Sequence, residues 1–243
     1  IFFVNLPLGV PVVILFVRFF PGRGGSGRSH QLDYAGMGAL TLAVVPLLVG
    51  LSWGGAQYAW TSPQVIGALG VAAVMTAVFI AVEVRASEPV MPLGIYRNPV
   101  LSVSLIAIFL TGFGMFGGII FLPLFLQVVT GASATNSGLL MLPLMGGLMT
   151  TSITSGRMIS RTGRYKVWPV TGMAVAAAGM FLLSLMDADT TRLESLVFML
   201  VFGLGIGMVL PVLVLVVQNA VPYADLGVAT SAATFFRTMG GSF

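Results

Sequence analysis

The sequence predicts an all-α, polytopic membrane protein of about eight spans, two of them truncated, and three observations carry that prediction. The chain of 243 residues is 57% hydrophobic and only 7% charged, with a mean hydropathy of +1.04. A soluble domain carries roughly a quarter charged residues, so this composition cannot solvate a globular surface. The few charges separate apolar runs long enough to cross a bilayer, which takes about 20 residues per helix. The Lys and Arg residues crowd into alternate loops. Barrel strands would alternate lipid-facing and lumen-facing residues, and these runs do not.

The spans follow from the charge spacing. Residues 1–17 hold no charge before Arg18 and read as the tail of a span. Asp33 and Glu83 enclose 49 uncharged residues, enough for two spans. The stretch Trp53 to Pro63 supplies the turn between them, with Gly54, Gly55, Ser62 and the interface-favouring Trp53, Tyr58 and Trp60. Arg97 and Arg157 enclose 59 uncharged residues, again two spans, broken at Gln127 to Asn136. Lys166 to Asp187 gives one more span and Glu194 to Asp225 another. The last begins near Gly227 and is cut short by Phe243. The chain therefore reads as a fragment, starting and stopping inside apolar runs.

Orientation comes from the eleven basic residues. Nine of them, Arg18, Arg23, Arg28, Arg85, Arg97, Arg157, Arg161, Arg164 and Lys166, fall in alternate loops, against Arg192 alone in the others. The eleventh, Arg237, lies within the final apolar run. The positive-inside rule puts the Arg-rich loops in the cytoplasm. The net charge of +4 is thus a topology signal, and no groove-reading element for nucleic acid accompanies it.

Enzyme chemistry finds no support. Cysteine is absent, which excludes disulfides and thiolate chemistry. His30 stands alone in a basic loop, no GxSxG elbow or metal-ligand spacing occurs, and no carboxylate pair lies within a span. No metal site and no cofactor is expected. Gly203, Gly205 and Gly207 form a GxGxG run, but a nucleotide loop needs a preceding strand and the longer GxGxxG spacing. Mid-span, these glycines serve close helix packing, as do Gly112, Gly114, Gly117, Gly118, Gly146 and Gly147. Pro46, Pro123, Pro143 and Pro211 fall inside spans and invite kinks. No ring of charges or pore-lining polar stripe repeats along any span, which argues against a channel.

The most specific feature is the short basic hinge from Gly156 to Val167, where Gly163 lets the chain turn between two spans. Gly156, Arg157, Arg161, Gly163 and Arg164 resemble the signature loop of the major facilitator superfamily, Gly-Arg-x-x-Asp-Arg-x-Gly-Arg-Arg/Lys. Ser160 replaces the family's Asp, removing a carboxylate of its cytoplasmic charge network. Other segments are similar to the 14-helix drug:proton antiporters of EmrB/QacA type. Ile1 to Gly9 resembles the start of helix six, and Glu88 to Leu93 with Arg97-Asn98-Pro99 the loop before helix nine. Phe121 to Gln127 with Gly131, and Gly138 to Pro143, resemble helices nine and ten. Phe235 to Ser242 resembles helix thirteen.

The resemblance spans the whole chain and implies a major facilitator-type helical bundle covering helices six to thirteen. Residues 1–17 would end the N-terminal six-helix half, and 18–33 would be a cytoplasmic loop. The extra helix pair of this branch would be 34–84, with a cytoplasmic loop at 85–98. Residues 99–243 would be the incomplete C-terminal half. It also implies a multi-pass protein of the bacterial plasma membrane that exports small, mostly apolar or cationic compounds in exchange for protons. The expected partners are the lipid bilayer, a small-molecule substrate and protons, with no nucleic acid. Export of a dedicated metabolite or self-made antibiotic is the alternative, and a non-transporting scaffold or receptor the rival from another class. Two residues are candidates for the substrate path. Arg237 would sit near the bilayer centre, where a charge is costly unless it faces water or a partner, or else would snorkel to the cytoplasmic surface from a helix that starts later. Gln127 closes a span just before a neutral outer turn.

Overall fold

The computed structural model describes residues 6–19, 33–86 and 89–243. The expectations for Ile1 to Asn5, Arg23, Arg28, His30 and Glu88 lie outside the described residues. The chain divides into two units, residues 1–32 and 33–243. In the first, helix α1 (Leu6–Phe19) carries Pro11 inside and Arg18 in its last turn.

The second unit contains six helices long and apolar enough to cross a membrane, and the ends of each follow from local chemistry. Helix α2 (Tyr34–Trp53) starts where the Asp33 carboxylate accepts the Gly36 N–H at 2.8 Å. Such a cap satisfies one of the donors a helix start leaves free. Its turn into α3 (Pro63–Glu83) uses Gly55 at φ 77°, whose N–H donates to Tyr58 at 2.9 Å. Trp53 and Tyr58 pack edge-on at 5.6 Å in that turn. A 3-10 turn (Leu93–Arg97) leads to α4 (Pro99–Val128), capped by Asn98 with Pro99 at the first position.

After a bend at Gly131, φ 68°, come α5 (Ala134–Leu140) and α6 (Leu142–Thr162). These two make one span of 29 residues, Ala134–Thr162. It is interrupted at Met141, just before Pro143, which has no N–H to continue the ladder. Helix α7 (Val167–Ser184) follows the hinge. Helix α8 (Arg192–Asn219) opens on a reciprocal Thr191–Glu194 capping box. Helix α9 (Leu226–Ser242) has 17 residues. Along the chain, the shorter helices α1 and α9 precede and follow these six membrane-length helices, as the charge spacing predicts. No strand occurs among the described residues, which hold a single isolated bridge.

Helix α8 is the central element of the second unit, and its glycines explain how. Residues two apart on a helix point to nearly opposite sides, while residues four apart share one side. A Cβ on Gly203 or Gly207 would overlap the backbone of α6 at Leu144 or Leu148, and one on Gly205 the backbone of α7 at Ala176. The GxGxG run thus lets two helices approach α8 from opposite sides, as expected for membrane packing by small residues. Across the α6 contact, Thr151 Oγ1 donates to the Leu204 carbonyl at 2.9 Å and Ser152 Oγ to that of Gly207 at 3.1 Å.

Helix α9 lies on α4 in the same manner, with Gly240 against Phe109 and Gly112 against the Arg237 backbone. One apolar cluster joins Leu101, Leu105 and Ile108 of α4 to Leu213 and Val217 of α8 and Ala229 and Ala233 of α9. Asn98 Nδ2 ties the start of α4 to the end of α8 through the Ala220 carbonyl at 2.9 Å. The loops bearing Arg97 and following Asn219 are therefore at one end of the bundle.

Candidate functional site

Helices α6 and α9 differ from their neighbours in carrying polar residues along an uncovered side. On α9, Thr230, Thr234, Thr238 and Ser242 stand four residues apart, and each hydroxyl donates to the carbonyl four residues earlier at 2.8 to 3.1 Å. Thr234, Thr238 and Ser242 are exposed. Spacing by four hides this stripe in a linear scan of the sequence. The opposite side of α9, Ala229, Ala232, Ala233 and Gly240, is buried on α4 and α8. At its start the stripe meets α8, where Gln218 Nε2 donates to Thr230 Oγ1 at 3.2 Å. Helix α6 repeats the pattern with exposed Thr150, Thr154 and Thr162.

A hydroxyl bonded to its own helix is tolerated in lipid, so the ladders alone do not call for water. Arg237 is a different matter. It lies half-buried beside the α9 stripe, eleven residues after Leu226, roughly 16 Å along the axis. A guanidinium has five N–H donors, and that of Arg237 makes no hydrogen bond or ion pair among the described residues. Its backbone is held by the close approach to Gly112.

Gln127 is exposed in the last turn of α4. It lies fifteen residues beyond Gly112, roughly 22 Å along the helix from the level of Arg237. The structure does not bring these two residues together. An apolar cavity of about 250 Å³ between α4, α7 and α8, lined by Phe113, Met173, Met180 and Phe202 among others, contains neither.

The basic hinge has the geometry its sequence predicts. Gly163 ends α6 in the left-handed region at φ 68°, and its N–H donates to Ile159 at 2.8 Å. Gly156, Arg157 and Arg161 lie on the exposed final turns of α6, with Arg164 and Lys166 in the loop. These four cations meet no carboxylate among the described residues. Ser160, in place of the signature's Asp, spends its hydroxyl on the Gly156 carbonyl at 3.0 Å.

One constellation escaped sequence reasoning. Asp33 and Glu83, fifty positions apart, meet at the base of the α2–α3 hairpin, and Glu83 is only 3% exposed. Glu83 belongs to the last turn of α3, where its carboxylate accepts the Met91 N–H. The available signal was the hairpin itself, which must return its second end to the level of its first.

Over residues 1–243 the chain matches the family described as Major Facilitator Superfamily. It is 40% identical over 243 residues to the multidrug transporter protein MdtP of Bacillus subtilis (strain 168), covering 100% of this chain and 44% of that protein. It is equally 40% identical, over 242 residues, to an uncharacterized MFS-type transporter of Mycobacterium tuberculosis (strain H37Rv), covering 100% of this chain and 35% of that one. A tetracycline resistance determinant of Streptomyces rimosus is 34% identical over 216 residues, 87% of this chain and 61% of its own. The chain thus spans about a third to three-fifths of the length of these relatives. With six membrane-length helices, a glycine-packed bundle and a match along its full length, the chain belongs to the Major Facilitator Superfamily.

Proposed function

We propose that the protein to which this segment belongs is a secondary transporter that exports small, mostly apolar or cationic compounds in exchange for protons. The family consists of membrane transporters and not enzymes, so the chain is part of a multi-pass carrier of small molecules. Drug export is supported by the names of relatives: a multidrug transporter and a tetracycline resistance determinant. Within the whole protein, residues 34–84 would be the extra helix pair and 99–243 most of the C-terminal half. The Arg-rich loops would face the cytoplasm of a bacterial cell.

One observation carries the reading: Arg237, half-buried eleven residues into α9 beside an exposed hydroxyl stripe, with no acceptor among the described residues, which would put it near mid-membrane if α9 enters the bilayer at Leu226. A central Arg costs roughly 2.5–3.5 kcal/mol on insertion scales. The cost falls when the side chain faces a water-filled passage between the halves of a carrier, where such transporters bind substrate. Arg237 would then face a substrate or an acidic partner in the other half, and Gln127 would line the outer exit. The test is efflux by the full-length protein in a drug-sensitive host. Arg237→Ala should abolish export at unchanged expression, and Arg237→Lys should restore little, because a point charge replaces a fork of donors. Full export by the alanine variant would sink the role of Arg237. A relative named as an acetylaranotin efflux transporter, 30% identical over 250 residues, supports the alternative of a dedicated metabolite as cargo. A resistance profile confined to one compound class would favour it.

A further inference from the structure

The base of the α2–α3 hairpin holds three buried oxygens with no hydrogen-bond partner: Asp33 Oδ2, Glu83 Oε2 and Tyr96 Oη. The other carboxylate oxygens are used. Asp33 Oδ1 caps α2 through the Gly36 N–H, and Glu83 Oε1 accepts the N–H of Met91, in the segment that leads to α4. The two unused carboxylate oxygens converge over Gly36. A Cβ there would overlap Asp33 Oδ2 and stand 3.2 Å from Glu83 Oε2. A side chain at Gly36 would force one of these carboxylates to shift.

A buried Glu83 carboxylate that faces a second carboxylate is costly to keep ionised without a cation. Among the described residues none is supplied. Arg85 turns its guanidinium back to the Ala81 carbonyl at 3.0 Å, and Arg97 and Tyr34 are exposed. Among the described residues, Tyr96 is the remaining titratable group near the pair. Burial, and then the charge of Glu83, push its phenol up to about 12, so it stays an O–H donor at any physiological pH. Helix α9 meets the far side of Tyr96 with the Phe236 ring at 6.5 Å and brings no charge to the pair.

We propose that Asp33 and Glu83 bind one proton between them, so that the hairpin base is a proton-operated clasp on the segment leading to α4. One proton, taken from solvent by either carboxylate, makes an O–H···O⁻ bond that satisfies both orphan oxygens at once. The Tyr96 hydroxyl then donates to the remaining charge. Loss of that proton leaves two like charges over Gly36. Their repulsion is relieved when Glu83 swings away and releases the Met91 N–H, its one hydrogen bond to residues 89–97 among the described residues. The site differs from the Arg237 stripe and stands whether or not that residue meets cargo.

Two readouts on the purified full-length protein in lipid nanodiscs test it. Infrared difference spectra on stepping the pH upward should show the loss of one protonated-carboxyl band that shifts in heavy water. The band should be absent from both Glu83→Gln and Asp33→Asn. Hydrogen exchange, corrected for its intrinsic pH dependence, should report the Met91 amide opening on the order of tenfold across the same transition, as for one lost bond to a charged acceptor. In Glu83→Gln that step should vanish. The proposal is overturned if the wild-type protein shows no such band, if the band persists unchanged in both variants, or if Met91 opens identically in Glu83→Gln. A bound metal ion or a basic side chain on the pair would give the first of these results. Should one variant fail to fold, the other carries both readouts.

Discussion

Two adjacent glycines on α6 should respond to the same substitution with opposite signs. At Gly146 a new Cβ meets nothing within 4 Å, whereas at Gly147 it stands 2.9 Å from the Leu200 carbonyl oxygen and 2.9 Å from the Leu204 nitrogen of α8. Both positions gain about 0.8–1.0 kcal/mol from the better helix propensity of alanine. Gly146→Ala should keep that gain. At Gly147 the obstructing atoms are backbone and cannot rotate aside, so α6 and α8 must part by roughly 0.5 Å to reach ordinary contact distance. Overpacking of this kind costs about 1–3 kcal/mol. Separation also lengthens the bonds from Thr151 to Leu204 and from Ser152 to Gly207. Interhelical bonds in membranes average about 0.6 kcal/mol each. Gly147→Ala should therefore be destabilising by about 1–2 kcal/mol, net of the propensity gain. Thermal unfolding of the full-length protein in detergent, read by size-exclusion fluorescence, measures the difference. Equal shifts of the same sign in the two variants would refute the packing account of α6 on α8.

Further expectations concern topology, the hinge, a cap and the outer turn. A cysteine at Gly163 should be labelled by an impermeant reagent only from the cytoplasmic side, and one at Asp189 only from outside; the reverse result would invert the orientation. Gly163→Ala should cost roughly 1–2 kcal/mol in thermal stability, because an L side chain is strained in the left-handed region. Thr191→Ala removes the capping box of α8 and should cost about 1 kcal/mol in the same assay. Gln127→Ala should change resistance to some compounds and not others at equal expression, and an unchanged profile would leave Gln127 an interfacial side chain only.

How much of this was legible beforehand depends on whether the controlling physics is local. Turns were legible because their chemistry is carried by a few neighbouring residues: Trp53 to Pro63 became the α2–α3 connection, and Gly163 took the positive φ the hinge requires. The role of Gly203, Gly205 and Gly207 was half legible. Small residues mid-span announce close packing, but which helix each one admits depends on angles and register along α6 and α7. The α9 hydroxyl stripe was present in the sequence and overlooked, since its period of four shows only once the residues are wound onto a helix.

The sequence by itself determined the number of spans, their approximate ends and the loops they share, because partition into a bilayer sums over about twenty consecutive residues and needs no partner. The tertiary structure alone decided what meets what. It placed Asp33 against Glu83 across fifty positions, held the Arg237 backbone on Gly112, and kept Gln127 away from it. Contacts of that kind depend on how helices cross and slide against one another. No hydropathy sum contains that information, because two helices of equal apolarity can pack in many registers, and side-chain shape selects among them.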